Sequence, residues 1–186
     1  PLLKKLKLVI FDLKNINDLY SILYSENISY INATPSFMKQ LYFKKIKNLN
    51  YLLIAGEYFD QNLKNNIIEN ALVKTLLNAY GPTEISICSH IKKIDSCDTN
   101  NNSIGRIIDN KKFYVLNTDL NILPIGAIGE LYIGGIGVAR GYLNRPDLNA
   151  QKLIHSKYSN DVLYRSGDKA LLHSNGEIEY LGRIDK

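Results

Sequence analysis

The chain has 186 residues, 45% of them hydrophobic and 22% charged, an ordinary globular composition with enough length for one core or two small ones. Its net charge of +5 comes from scattered lysines, and the densest patches, Lys4-Lys5-x-Lys7 and Lys44-Lys45-x-Lys47, flank apolar residues and read as solvated faces, against a nucleic-acid partner. Cys88 and Cys97 are too few for a disulfide framework or a structural zinc site; no apolar run reaches membrane-spanning length and no signal-peptide pattern is present, so a reducing, cytoplasmic setting is expected.

From the N-terminus, "LKLVIF" (6–11) reads as a buried strand, and Ile16, Leu19, Tyr20, Leu23 and Tyr24 recur at helical spacing. "ISYINA" (28–33) is the next strand. Thr34 then caps a helix with Pro35 in its first position, running through Phe37, Met38 and Leu41. "YLLIA" (51–55) is a strand, residues 61–71 form a helix with Leu63, Ile67 and Ile68 inward, and "VKTLL" (73–77) closes the series. Strand–helix repetition with short connections implies a parallel sheet covered by helices, with ligands beyond the carboxyl ends of its strands. The sheet is expected to be incomplete on its upstream side, with exposed apolar edges.

Residues 85–186 have another texture. "ISICSHI", "KKFYVLN", "GELYIGG", "YRSGDKALLH" and "EIEYLGR" are strand-like, and "SNGE" (174–177) signals a hairpin. "RPDLNAQKLI" (145–154) reads as one short helix, and "DSCDTNNNS" (95–103) as a surface excursion or a soft boundary. The fold class is therefore α/β: a parallel sheet flanked by helices, expected over 1–95, then a mainly antiparallel, barrel-like subdomain over 96–186. Beginning at Pro1 and ending in "GRIDK", the chain is expected to be a piece of something longer.

The candidate chemistry centres on "NAYGPTE" (78–84), directly after a strand. Tyr80 suits stacking on a purine or filling a core. Gly81 and Pro82 force a turn. Thr83 and Glu84 offer a hydroxyl and a carboxylate, suited to phosphate and magnesium, or merely to a solvated turn. Asp168 in "YRSGD" can bind ribose hydroxyls or form a turn. The glycines of "IGGIGVARGY" lack dinucleotide-loop spacing and read as tight turns. His90, His155 and His173 show no metal-ligand spacing and read as surface or turn residues.

"NAYGPTE" (78–84), "GELYIGGIGVARGYLNRPDLNAQKL" (129–153), "YRSGD" (164–168) and "NGEIEYLGRID" (175–185), in this order, resemble the core motifs of amino-acid adenylation domains of nonribosomal peptide synthetases, within the adenylate-forming enzymes. "INATPSF" and "LLIAGE" are similar to weaker upstream landmarks. The resemblance implies activation of an amino acid by ATP as aminoacyl-AMP, with release of pyrophosphate. The acyl group then passes to the phosphopantetheine thiol of a carrier domain. It implies that Asn78 and Tyr80 hold and stack the adenine, with Ala79 and Gly81 also in the cofactor site, that Thr83 contacts phosphate and that Glu84 ligates magnesium. By the same resemblance Asp168 would bind the ribose, Tyr180 would line the nucleotide site, Arg183 would reach the ribose-phosphate region and Asp185 would be the hinge to a C-terminal domain. Asn32, Leu53, Ala55, Ala79, Ile87 and Cys88 match amino-acid pocket positions and suggest an aromatic or large aliphatic substrate, with Asn32 the polar departure; without the resemblance, Ile87 and Cys88 read first as ordinary strand core.

Ser166 stands where threonine is usual before Gly-Asp, "AGE" (55–57) replaces Gly-Gly-Glu, and Ile107 replaces a proline. The family's phosphate loop, its amino-group aspartate and its C-terminal-domain lysine fall outside these residues, so this piece alone is expected to be inactive. Peptidyl carrier and condensation domains are the implied partners, and Lys, Asn, Ile and Tyr usage suggests an AT-rich bacterial genome. Two alternatives are an acyl- or aryl-acid CoA ligase of the same superfamily and a non-catalytic nucleotide-binding module.

Overall fold

A computed structural model describes residues 7–10, 15–46, 48–96, 98 and 102–185. The first half alternates helix and strand. Helix α1 (Ile16–Ser25) opens on a capping box in which Asn15 accepts from the Asp18 amide and the Asp18 carboxylate accepts from the Asn15 amide. Strand β1 (Tyr30–Ala33) leads into the short helix α2 (Pro35–Met38), where the Thr34 hydroxyl accepts from the Phe37 amide. Strand β2 (Leu49–Ala55), helix α3 (Gln61–Asn70, capped by Asp60) and strand β3 (Val73–Tyr80) follow.

β1, β2 and β3 are parallel, with Asn32 opposite Leu53 and Ala55 opposite Ala79. Alternation along the strands sends Leu52, Ile54 and Leu76 into a core shared with Leu19 of α1, Met38 of α2 and Leu63 and Ile67 of α3. The helices pack through that one face. The residues between, Tyr30, Asn32, Tyr51, Leu53 and Ala55, stay exposed or half-buried among the described residues.

Beyond β3 every pairing is antiparallel. Strands β4 (His90–Ile94), β5 (Ser103–Ile107), β6 (Lys111–Leu116), β7 (Ile128–Gly135), β8 (Leu153–His155), β9 (Val162–Leu172) and β10 (Ile178–Arg183) extend the sheet, with helix α4 (Pro146–Lys152) before β8. The order is β1-β2-β3-β4-β5-β10-β9-β7-β6, with β8 paired to β9. β10, last in sequence, therefore sits between β5 and β9. β7 is covered on both faces: Leu131 and Ile133 join one cluster and Tyr132 another, which explains its unbroken apolar run. The "SNGE" hairpin joins β9 to β10, with Gly176 at φ +82° and the His173 amide donating to the Glu177 carbonyl at 2.9 Å.

Several expectations are corrected. Residues 7–10 form no strand, and Leu8 and Ile10 are exposed; Leu6, Phe11, Lys4, Lys5, Lys47 and Cys97 lie outside the described residues. Helix α2 stops at Met38, although Leu41 is buried beyond it, and Ile68 of α3 is 36% exposed rather than inward. Residues 153–154 pair as β8 instead of continuing α4. The "ISICSHI" stretch is not one strand. Ile85 ends a 3-10 turn (Thr83–Ile85), Ser86 and Ile87 take left-handed φ of 59° and 73°, and β4 begins only at His90. His90 is fully buried rather than a surface or turn residue.

Candidate functional site

The loop after β3 is an excursion closed at its base, where the Ser89 amide donates to the Tyr80 carbonyl at 2.8 Å. Gly81 is required by close approach, since a Cβ there would lie 2.5 Å from the Ile87 carbonyl oxygen and 2.6 Å from Cys88 Cα. Ile87, β-branched and left-handed, is a backbone outlier on this loop, and its side chain is 80% exposed.

Where β3 ends, a cavity of about 250 Å³ opens. The segment Gly56–Phe59 after β2 forms one wall and Asn78–Pro82 another. Asn102, just before β5, and Ile104 of β5 border it, with Asp168 and Tyr180 from β9 and β10. The parallel half thus presents strand ends, and the antiparallel half supplies a carboxylate and a second aromatic ring. The Tyr80 and Tyr180 rings are tilted at 40° with centroids 6.2 Å apart.

Asp168 is buried, and the Tyr80 hydroxyl donates to its carboxylate. Arg183 donates to the other carboxylate oxygen at 3.2 Å and to the Ser166 carbonyl at 2.7 Å. Burial pushes the Asp168 carboxyl up, against the downward pull of Tyr80 and Arg183. Burial and the Asp168 charge push the Tyr80 phenol well up, so Tyr80 remains a donor. Asp168 lies within β9, not in a turn. Gly167 beside it has φ +76°, and a Cβ there would lie 2.9 Å from Arg183 Nη2, so glycine lets the guanidinium lie against the strand. Arg183 also forms a two-point pair with Asp185, 3.0 Å at each contact.

Thr83 is exposed and Glu84 half-buried, one and two positions past Pro82. Neither borders the cavity. The Glu84 side chain accepts from the Tyr142 hydroxyl, and its carbonyl accepts from the Ala139 amide at 2.7 Å. Among the described residues there is no cluster of three or more His, Cys, Asp or Glu that could hold a metal ion. A lone carboxylate beside a hydroxyl fits magnesium, which takes one or two carboxylates and completes its shell with water and phosphate oxygens.

Of the amino-acid pocket positions, Asn32, Leu53, Ala55 and Ala79 share one face of the parallel sheet by register. Cys88 is half-buried, its thiol donating to the His90 carbonyl at 3.3 Å. Burial pushes the Cys88 thiol up.

Sequence reasoning missed Tyr58 and Asn102, whose side chains meet across the cavity, Tyr58 Oη donating to Asn102 Oδ1 at 2.9 Å. Nothing periodic marks either. Glu57 was noted only within "AGE"; its carboxylate accepts from the Ser36 amide at 2.9 Å and from the Ser36 hydroxyl, which pull it below the usual range. His90 packs edge-on against Tyr80 and Phe113, and its Nε2 has no hydrogen-bond partner among the described residues.

The family model for the AMP-binding enzyme matches residues 1–143. The chain belongs to the AMP-binding enzyme family. It is 41% identical over 165 residues to tyrocidine synthase 1 of Brevibacillus parabrevis, covering 87% of this chain and 15% of that one. It is 38% identical over 175 residues to bacitracin synthase 3 of Bacillus licheniformis, covering 92% and 3%. The AMP-binding chain thus spans a small part of the curated relatives it matches. Its fold matches the N-terminal subdomain of Klebsiella oxytoca NpsA in complex with 3-hydroxybenzoyl-AMSN, with TM-score 0.80, 22% identity and coverage of 92% and 44%. It also matches holo-AB3403, a four-domain nonribosomal peptide synthetase bound to AMP and glycine, with TM-score 0.80, 32% identity and coverage of 91% and 13%. The fold is thus a mixed α/β fragment with one large sheet. No helix among the described residues is long and apolar enough to cross a membrane.

Proposed function

We propose that this chain is the nucleotide-binding part of an amino-acid adenylation domain in a nonribosomal peptide synthetase. The observation that carries the reading is the buried Asp168 carboxylate, fixed by Tyr80 and Arg183 at a cavity beyond the ends of parallel strands. A carboxylate held this way accepts two hydroxyls in charge-assisted hydrogen bonds, as a ribose diol requires. Tyr80 and Tyr180 supply flat faces for a purine, and Asn78 to Gly81 border its edge. The family match and the synthetase relatives support the same reading.

In the proposed reaction an amino-acid carboxylate oxygen attacks the α-phosphorus of ATP. The phosphorus–oxygen bond to pyrophosphate breaks, leaving aminoacyl-AMP; the acyl group then passes to a carrier-bound phosphopantetheine thiol with release of AMP. Bound magnesium, held by Glu84, would neutralise phosphate charge. Thr83 contacts phosphate, Arg183 reaches the ribose-phosphate, and Asp185 serves as hinge between the two half-reactions. Such chemistry depends on positioning and charge placement more than on a protein nucleophile. Residues 1–95 and 96–186 are proposed as the two subdomains, with peptidyl carrier and condensation domains as partners.

On the amino-acid side, Ala55 and Ala79 leave room beside Leu53, which favours a large hydrophobic or aromatic side chain. The test is amino-acid-dependent exchange of pyrophosphate into ATP by the full-length protein. Exchange with one or two hydrophobic amino acids is the expected outcome. Exchange only with acids lacking an α-amino group moves the protein to the acyl- or aryl-acid ligases. No exchange from folded, magnesium-supplied protein makes it a non-catalytic nucleotide-binding module. The isolated piece is expected to form no adenylate; a rate near that of the full-length protein would overturn that.

A further inference from the structure

We propose that Tyr142 is a positioning residue for the Glu84 carboxylate and that Asn149 fixes Tyr142 in place. The inference rests on the reading of Glu84 as the magnesium ligand. The loop between β7 and α4 is fastened to the loop after β3 at three points. The Ala139 amide donates to the Glu84 carbonyl at 2.7 Å, the Ser86 hydroxyl donates to the Gly137 carbonyl at 2.9 Å, and the Tyr142 hydroxyl donates to Glu84 Oε1. Backbone and side chain of Glu84 are thus both held by one neighbouring loop.

Tyr142 is itself held at the backbone. The Asn149 side chain accepts from the Tyr142 amide at 2.6 Å and donates to the Tyr142 carbonyl at 3.2 Å, engaging both main-chain polar groups of that residue. Gly141, at φ +147°, packs directly on Asn149; a Cβ there would lie 3.0 Å from its amide atoms, so a side chain at 141 would press on the clamp. Helix α4, which carries Asn149, buries none of its residues, so the clamp is a clearer role for it than core packing.

A neutral donor on Oε1, with the Tyr164 phenol beside the same carboxylate, fixes the rotation of the group without cancelling its charge. Partners that hydrogen-bond a ligating carboxylate from outside the coordination shell typically change metal affinity about ten- to a hundredfold when removed. The test uses the full-length protein and its Tyr142→Phe variant, which keeps the ring and the Asn149 clamp and loses only the hydroxyl. Manganese is titrated by electron paramagnetic resonance in the presence of α,β-methylene-ATP, and AMP affinity is measured separately by calorimetry without metal. Tyr142→Phe is expected to raise the half-saturating manganese concentration about ten- to a hundredfold, with metal-free AMP affinity within about twofold. Asn149→Ala should move manganese binding in the same direction by less.

Unchanged manganese binding in Tyr142→Phe overturns the inference. Equal losses of manganese and metal-free AMP binding overturn it too, because the loop is then only structural. Glu84→Gln, measured alongside, separates the two levels. If Glu84→Gln weakens manganese binding and Tyr142→Phe does not, the positioning role alone fails. If Glu84→Gln has no effect, the magnesium assignment fails and takes the positioning role with it.

Discussion

The two halves of the sheet bury different things. Around β1 to β3 the core is apolar, with Leu52, Ile54, Met38 and Ile46 fully enclosed and Lys64 the sole buried charged or polar residue among the described residues before Ser89. From the approach to β4 onward, Ser89, His90, Lys92, Ser103, Glu130, Ser166 and Asp168 are all buried. Lys92 illustrates the second regime: it contacts Glu177 at 2.8 Å and Asp98 at 3.1 Å, while the Ser103 hydroxyl donates to Glu177 at 2.8 Å. Such groups are costly to bury unless paired, so they concentrate where geometry has to be specific. The parallel half is an apolar scaffold whose strand ends border the cavity, and the antiparallel half buries most of the polar groups, Asp168 at the cavity among them.

Four experiments break or sharpen this contrast. The largest effect belongs to the scaffold. Leu52→Ala is expected to lower unfolding stability by about 2–5 kcal/mol, read by urea denaturation, because the site is enclosed and cannot collapse around the loss. Retained AMP affinity in the folded fraction supports the division; lost affinity without lost stability breaks it. Next, Asp168→Asn removes charge from the cavity and should weaken AMP binding about ten- to a hundredfold by calorimetry. A loss confined to stability would make Asp168 a structural member of the sheet.

His90 gives a pH test. Burial holds its imidazole down at about 3, below the ordinary value of 6.5, so folding favours the neutral ring. Its contribution is complete above pH 6.5 and is lost progressively as pH falls toward the folded value. Between pH 6.5 and 5 this costs about 2 kcal/mol, since each unit of difference is worth about 1.4 kcal/mol. His90→Gln should flatten that part of the urea-midpoint profile; an unchanged slope would mean the acid sensitivity arises elsewhere. The smallest effect is at the β9–β10 hairpin. At Gly176 a Cβ would meet only Arg106 Nε, at 3.9 Å, so Gly176→Ala should cost about 1 kcal/mol through its left-handed backbone alone. A much larger loss would show that the hairpin governs the seam.

Strands whose partners are local were legible in the sequence. β2 and β3 announced themselves as aliphatic runs, and the Asn-Gly turn placed β9 against β10. Reading failed where distant contacts decide. Ser86 and Ile87 look like strand residues, yet the return of the chain to Tyr80 turns both left-handed. His90 looks like any exposed histidine until Tyr80 and Phe113 close over it. In the site, Tyr80 and Asp168 are linked by a hydrogen bond across 88 positions, and only the order of the motifs hinted at it. Tyr58 and Asn102 carried no local mark at all, because their pairing exists only once the cavity does.

The placement of β10 bears on how the molecule is made. Because the last strand fills the slot between β5 and β9, both of those strands keep an open edge until it arrives. Tyr180, a wall of the cavity, is on that same strand. A chain emerging from the ribosome can therefore assemble the apolar half early, while the cavity that Tyr180 walls is complete only once β10 is inserted. In the interval before that insertion, the two unpaired edges are the places a chaperone has reason to cover.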